Sequence, residues 1–369
     1  MSDDGHGADG RSDAETRPLL FNPPPVLTDP EPAVAAALAV IERSLGAMAS
    51  QATRPLLDPP TQPFRLRPIG ATGLAVFPVV LDTAPLATTP DRTTAHRVLD
   101  AYAAIGGNAL VVDDEADGLA AQTVGTWLLN RRRRESTVLA GRVGGGGLSA
   151  PQLTAAVERL LHRLGTERLD LLIVDGEDRS TSFEETLISL AGLIDGERVG
   201  HVAVGGVGPA QLIRSRVLAG QRDLPRFAAF APVYSLVERD GYEQGAAPVV
   251  HAQQLACLPV SPLADGFLSG AAPSRTALRR LRELHPQQAD RMLPHRTRRG
   301  LRVLEAVVRI AEEREVPPAA VALAWLLTRP HVAAPVVAAG SVEQVWAAGA
   351  AASVHLSRAE ASVLSRAAD

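Results

Sequence analysis

The chain predicts an α/β fold, a (β/α)8 barrel, and three observations carry that reading. From Phe64 onward, short apolar runs alternate with amphipathic segments. There are eight such runs, nearly each followed by a helical pattern. Helix-start signatures stand between them: Ser149-x-x-Gln152 and Ser182-x-x-Glu185 are capping boxes. A chain of 369 residues suits one large barrel, and a 46% share of hydrophobic residues with a mean hydropathy of +0.05 supplies its core.

Residues 1–63 read as an extension. Asn22-Pro23-Pro24-Pro25 and Asp58-Pro59-Pro60 give loops or polyproline segments. Between them Val34, Leu38, Ile41, Leu45 and Met48 share one helical face, which predicts a helix over about 30–49 with Asp29 and Pro30 at its start. The barrel occupies 64–369. Its strands are expected at Val76–Leu81, Ala109–Val112, Thr137–Ala140, Leu169–Val174, Gly200–Val204, Phe227–Ala231, Ala256–Val260 and Ala334–Ala338. Helices are expected near 91–105, 119–130, 150–163, 182–195, 209–218, 246–254, 301–313 and 318–328. In such a barrel the site lies on the loops after the strands, so the residues that end each apolar run carry the functional information.

Composition excludes several classes. A formal net charge of -4 argues against a general nucleic-acid binder. The single cysteine, Cys257, excludes a disulfide framework and a cysteine-based metal cluster. No apolar run is long enough for a membrane span, and Met1 to Arg17 lacks the order of a secretory signal, so a cytoplasmic enzyme-sized domain is expected. There is no lysine: all 37 basic residues are arginine, which with abundant alanine points to a GC-rich bacterial genome. Only three tyrosines exist, Tyr102, Tyr234 and Tyr242.

Several collinear stretches resemble the aldo/keto reductase family over about 64–369. They are Gly70-Ala-Thr-Gly73-Leu74 (an N-terminal hairpin plugging the barrel), Ala104-Ile-Gly-Gly-Asn108, Leu164-Gly-Thr-Glu-Arg-Leu-Asp-Leu171, Ser182 to Gly205, Ser261-Pro-Leu-Ala-Asp-Gly-Phe-Leu-Ser-Gly270 and Val321-Ala-Leu-Ala-Trp325-Leu. The resemblance implies carbonyl reduction by NADPH, with a tyrosine as proton donor, a lysine–aspartate pair tuning it and a histidine orienting the carbonyl. Carried onto this chain, the aspartate position falls on Val111, the tyrosine on Ala116, the lysine on Arg142 and the histidine on Asp175. Asp113, two residues beyond Val111, shares its side of an extended strand. The positions implied for the coenzyme hold Gly205-Gly206, Ala231, Val260, Gly340 and Ala348; Ser261 and Leu263 remain. Conventional reductase chemistry is therefore expected to be absent, and NADPH enters only if unconventional groups reduce a carbonyl.

What remains at the mouth is charged: Asp113, Asp114, Glu115 and Asp117, then Arg142, then Asp175, Glu177, Asp178 and Arg179. Asp113, Asp114, Arg142 and Asp175 are candidates for non-redox acid/base chemistry on a small polar metabolite. Asp113, Glu115 and Asp175 would be the oxygen ligands of a Mg²⁺ or Ca²⁺ variant. The plain alternative pairs Arg142 with Asp175 and leaves the others to solvate loop tips. Gly144-Gly-Gly-Gly147 reads as a hinge before a helix. The loop 272–300 carries Arg275, Arg279, Arg280, Arg282, Arg291, Arg296, Arg298 and Arg299, and is read as a contact surface for an acidic partner or as a solvated insertion. Three functions stay open: a non-catalytic binding, scaffolding or regulatory partner acting through 1–63 or 272–300; a barrel reassigned to elimination, isomerisation or cyclisation; and a divergent carbonyl oxidoreductase.

Overall fold

The computed structural model describes residues 64–369 except 116, 146, 177, 179 and 271–274. The extension 1–63, the helix expected at about 30–49, and Ala116, Glu177 and Arg179 lie outside the described residues.

The chain enters through a hairpin, β1 (Arg67–Pro68) and β2 (Ala75–Val76), antiparallel with Arg67 opposite Val76. Gly70 sits in its turn at φ +52, where a Cβ would stand 2.8 Å from the Ala228 carbonyl oxygen. Glycine is needed there twice over, for conformation and for space. Ile69 and Val76 are buried against the inner wall of the barrel, so the hairpin plugs its N-terminal end as expected.

Eight parallel strands follow: β3 (Val80–Asp82), β4 (Ala109–Asp113), β5 (Val138–Gly144), β6 (Leu169–Asp175), β7 (Val199–Gly205), β8 (Ala229–Ala231), β9 (Ala256–Cys257) and β10 (Val336–Ala338). The order β10-β3-β4-β5-β6-β7-β8-β9 is that of a (β/α)8 barrel. Alternate residues face inward: Val80, Val111, Ala140, Ile173, Ala203 and Ala229 form an inner cluster. Their neighbours face the helices and join a larger outer core with Leu99, Val124, Leu160, Leu187 and Trp325. Because both faces of each strand are buried, parallel strands read in sequence as unbroken apolar runs.

The run Val76–Leu81 is not one strand. It divides between β2 and β3 at Phe77-Pro78-Val79, because Pro78 has no N–H to give a ladder. The helices keep their expected places, including α1 (Arg92–Ala104), α2 (Leu119–Arg131), α3 (Ala150–Leu164), α4 (Phe183–Asp195) and α5 (Pro209–Arg222). Ser149 and Gln152 form the expected capping box, and the Ser182 hydroxyl accepts from the Glu185 N–H at 3.1 Å. α6 (Ala247–Gln253) follows a π-helical turn, Gly241–Ala246.

The segment expected as a loop over 272–300 is largely helical from 275 on. It holds α7 (Arg275–Leu284) and α8 (Pro286–Met292) because Ala277, Leu278 and Leu281 fall on one helical face and pack on the core, leaving Arg279, Arg280 and Arg282 outside. After α9 (Arg298–Glu313) and α10 (Pro318–Leu327) come two helices that periodicity alone did not mark, α11 (Val342–Gly349) and α12 (Arg358–Ala367). Their start signals were in the sequence: the Ser341 hydroxyl accepts from the Gln344 N–H, and Ser357 with Glu360 forms a capping box.

Tyr102 ties a helix to the sheet. Its hydroxyl lies 2.7 Å from the Val79 carbonyl oxygen and 2.9 Å from that of Ala109, in a fully buried site. Tyr102→Phe leaves both acceptors without this donor, and is expected to lower stability by about 1–2 kcal/mol, read as a shifted urea midpoint at unchanged slope.

Candidate active site

The inward alternation brings one residue from or just after each barrel strand to the C-terminal mouth: Asp82, Asp113, Arg142, Asp175, Gly205, Ala231, Val260 and Ala338. Charge is confined to the first four. Asp113 and Arg142 are direct partners in the β4–β5 register, and the guanidinium grips the carboxylate with both edges of its fork, Nε to Oδ1 and Nη2 to Oδ2, each at 2.7 Å. Nη2 also donates to Asp82 Oδ2 at 2.8 Å. The Asp82 carboxylate is fixed from behind by the Ala84 N–H at 3.0 Å. All three side chains are largely buried, with exposures of 12% for Asp82, 24% for Asp113 and 19% for Arg142.

This triad replaces the expected pairing of Arg142 with Asp175. Asp113 and Arg142 stand opposite one another, whereas Asp175 aligns with Gly144, two residues further up β5. The two carboxylates hold the Arg142 pKa above its usual value, although burial opposes them. Burial raises the Asp113 carboxyl above the usual range; Arg142 opposes this, and the charges of Asp82 and Asp175 add to it. Glu115 is raised as well, by partial burial first and then by Asp113, Asp117 and Asp82.

Asp82 escaped the list of sequence candidates. The signal was available, because Asp82 is the first residue after the apolar run Val76–Leu81. Asp114 leaves that list. One residue on from Asp113, it faces outward and pairs with Arg159 at 2.5 Å and Arg163 at 3.6 Å on α3. Asp178 is a loop anchor: hydroxyls of Ser180 and Thr181 and the N–H groups of Leu148 and Ser180 surround its carboxylate and hold its pKa well below the usual range. Asp117 accepts from the Leu119 N–H in the turn that leads into α2. The Mg²⁺ or Ca²⁺ variant finds no support: among the described residues no three His, Cys, Asp or Glu side chains are gathered as a metal site, and Asp113 is committed to Arg142.

Val111 is a buried inner-wall residue one layer below Asp113, so the carboxylate beside the cation of β5 comes from Asp113. Arg142 takes the cation's place. Ala116 lies outside the described residues. None of the three tyrosines belongs to the mouth. Tyr102 is bound to backbone carbonyls, Tyr234 donates to Glu243 at 2.6 Å, and Tyr242 packs on Phe230 and Tyr234; burial raises the pKa of each.

The positions that the resemblance gives to the coenzyme offer few side-chain donors. At Gly205 a Cβ would stand 2.8 Å from Asp175 Oδ1, and at Gly206 2.9 Å from the same atom, so the carboxylate fills the space of side-chain donors there. Ala231 is a buried methyl group, Ala348 is buried in the outer core, and Gly340 offers no cation. Ser261 stands at φ +48 and its carbonyl accepts from the Ala264 N–H, while Leu263 packs on the core, so both serve the loop itself. The carboxylates of Asp82, Asp113, Glu115 and Asp175 would also repel a polyphosphate.

The described residues form a parallel (β/α)8 barrel, plugged by an N-terminal hairpin and charged where its strands end. The chain belongs to the aldo/keto reductase family, whose sequence profile matches residues 83–369. It is 28% identical over 298 residues to the uncharacterized oxidoreductase YrpG of Bacillus subtilis, covering 75% of this chain and 87% of that relative. It is 27% identical over 284 residues to the norsolorinic acid reductase stcV of Emericella nidulans (73% and 70%) and 26% identical over 319 residues to the protein tas of Escherichia coli (74% and 89%). Among the described residues no helix is long and apolar enough to cross a membrane.

Proposed function

We propose that this chain is a reductase-family barrel that has given up redox catalysis and works in the cytoplasm as a non-catalytic binding, scaffolding or regulatory partner. One observation carries the reading: Arg142, at the tetrad's cation position, is held by Asp82 and Asp113 with no phenol beside it to tune. A proton donor typically contributes 10²–10⁴-fold, and neither a lysine nor a mouth tyrosine is available here to supply the family's version of it. The extension 1–63 and the arginine-bearing outer faces of α7 and α8 are the contact surfaces we assign to partners, the latter to acidic ones.

A second reading, non-redox acid/base chemistry on a small polar metabolite, is favoured by the raised carboxyls of Asp113 and Glu115 at one mouth. The oxidoreductase reading draws on two relatives, one named as an oxidoreductase and one as a norsolorinic acid reductase. The test is turnover. Purified protein mixed with NADPH and a panel of aldehydes and ketones is expected to oxidise no coenzyme above the rate of heat-inactivated protein. Carbonyl-dependent oxidation that survives repurification would sink the proposal. Loss of cellular function in a folded Asp113→Asn variant, with no turnover in that assay, would favour the second reading.

A further inference from the structure

Charge is unevenly placed along this chain. Over 275–300 eight arginines stand against two carboxylates, Glu283 and Asp290, although the chain as a whole has a net charge of -4. On α7 the apolar residues Ala277, Leu278 and Leu281 pack on the core, and Arg279, Arg280 and Arg282 are exposed. Arg279 and Arg282, 78% and 60% exposed, reach Glu283 at 3.9 Å and Asp290 at 3.0 Å. Exposed pairs of this kind are loosely held, so both cations stay available to another anion. Among the described residues Arg280 meets no carboxylate. The other arginine run, Arg131 to Arg134, is engaged at both ends, by Asp100 and by Asp170.

The opposite charge is concentrated in the extension. Between positions 3 and 15 stand Asp3, Asp4, Asp9, Asp13 and Glu15 against one cation, Arg11. We propose that this segment, which lies outside the described residues, covers the outer face of α7 in the same chain, its carboxylates spread over Arg279, Arg280 and Arg282. The tether is long enough: the peptide steps from Glu15 to Phe64 number 49 and span roughly 160 Å at full extension. Tethering also makes the encounter intramolecular, at an effective concentration on the order of 1 mM, so several weak contacts suffice. The two surfaces assigned to partners then cover one another, and an acidic partner must displace the segment to bind. Failure of this contact would leave the face open to an external acidic partner, so the two readings part.

The experiment uses full-length protein at about 0.1 M and about 1 M NaCl, between which the screening length falls from about 10 Å to about 3 Å. Amide exchange over 275–284 is compared with that of a variant combining Asp3→Asn, Asp4→Asn, Asp9→Asn, Asp13→Asn and Glu15→Gln. The initial rate of tryptic cleavage after Arg11 is compared with that of a variant combining Arg279→Gln, Arg280→Gln and Arg282→Gln. At low salt the wild type is expected to be slower by about threefold or more in both comparisons, and at high salt the differences should vanish. Exchange of α2 should be the same in all three proteins. Dilution by about fiftyfold should change neither rate, because the contact is within one chain. Equal rates in the wild type and either variant at low salt would overturn the proposal. So would protection that is lost on dilution, which would give the segment to a second copy.

Discussion

Replacing Arg142 by alanine is expected to lower folding stability by about 3 kcal/mol at neutral pH. The change strands the Asp82 and Asp113 carboxylates, which are 12% and 24% exposed, without the guanidinium that bridges them. Cavity formation adds little at an open mouth, so most of the loss is electrostatic and depends on pH. The folded-state pKa of Asp113 is already raised by burial. A raised carboxyl contributes stability that is fully present below its unfolded pKa and is lost as pH rises through the folded one. Without Arg142 that folded pKa climbs further, so the deficit of the variant is widest at about pH 7 and narrows towards about pH 4 as Asp113 binds its proton. Urea unfolding of both proteins across this range checks it. Arg142→Lys should recover part of the loss, because an ammonium supplies charge but cannot match both edges of the carboxylate.

Placing polar side chains at Gly205 and Gly206, positions that the resemblance gives to the coenzyme, is expected to harm the protein. In Gly206→Asn the Cβ would stand 2.7 Å from the Gly176 nitrogen and 2.8 Å from its Cα. Asparagine accepts φ +62, but the neighbouring backbone cannot retreat, and overpacking of this kind costs about 2–3 kcal/mol. Gly205→Ser differs in kind. Its Cβ meets Asp175 Oδ1 at 2.8 Å, a movable carboxylate, and the Ala231 carbonyl oxygen at 3.0 Å. Asp175→Ala should therefore relieve Gly205→Ser and leave Gly206→Asn nearly as damaging as before, a non-additivity that thermal unfolding of the double variants measures. The aspartate at the end of β6 and the two glycines at the end of β7 are one packing solution.

The barrel was legible in the sequence because buried parallel strands leave continuous apolar runs, and the mouth was legible because charge interrupts them. The partners of that charge were harder to read. Asp113 and Asp114 are adjacent and chemically alike, yet the pleat sends one to Arg142 and the other to Arg159. Strand alternation taken from Val111 would have separated them. Asp82 was overlooked because Val76–Leu81 read as one strand, which hid where the first barrel strand ends. The arginines of 272–300 masked the apolar stripe of α7 that makes the segment helical.

The proposed loss of redox catalysis requires that the carboxylate-rich, arginine-locked mouth hold no coenzyme. Titration of the purified full-length protein with NADPH, followed by quenching of the coenzyme's fluorescence and by calorimetry, tests this most directly. No saturable binding up to about 1 mM is the expected result, on the scale at which association is worth only about 4 kcal/mol. Saturation in the micromolar range, abolished by substituting residues of the mouth, would contradict it.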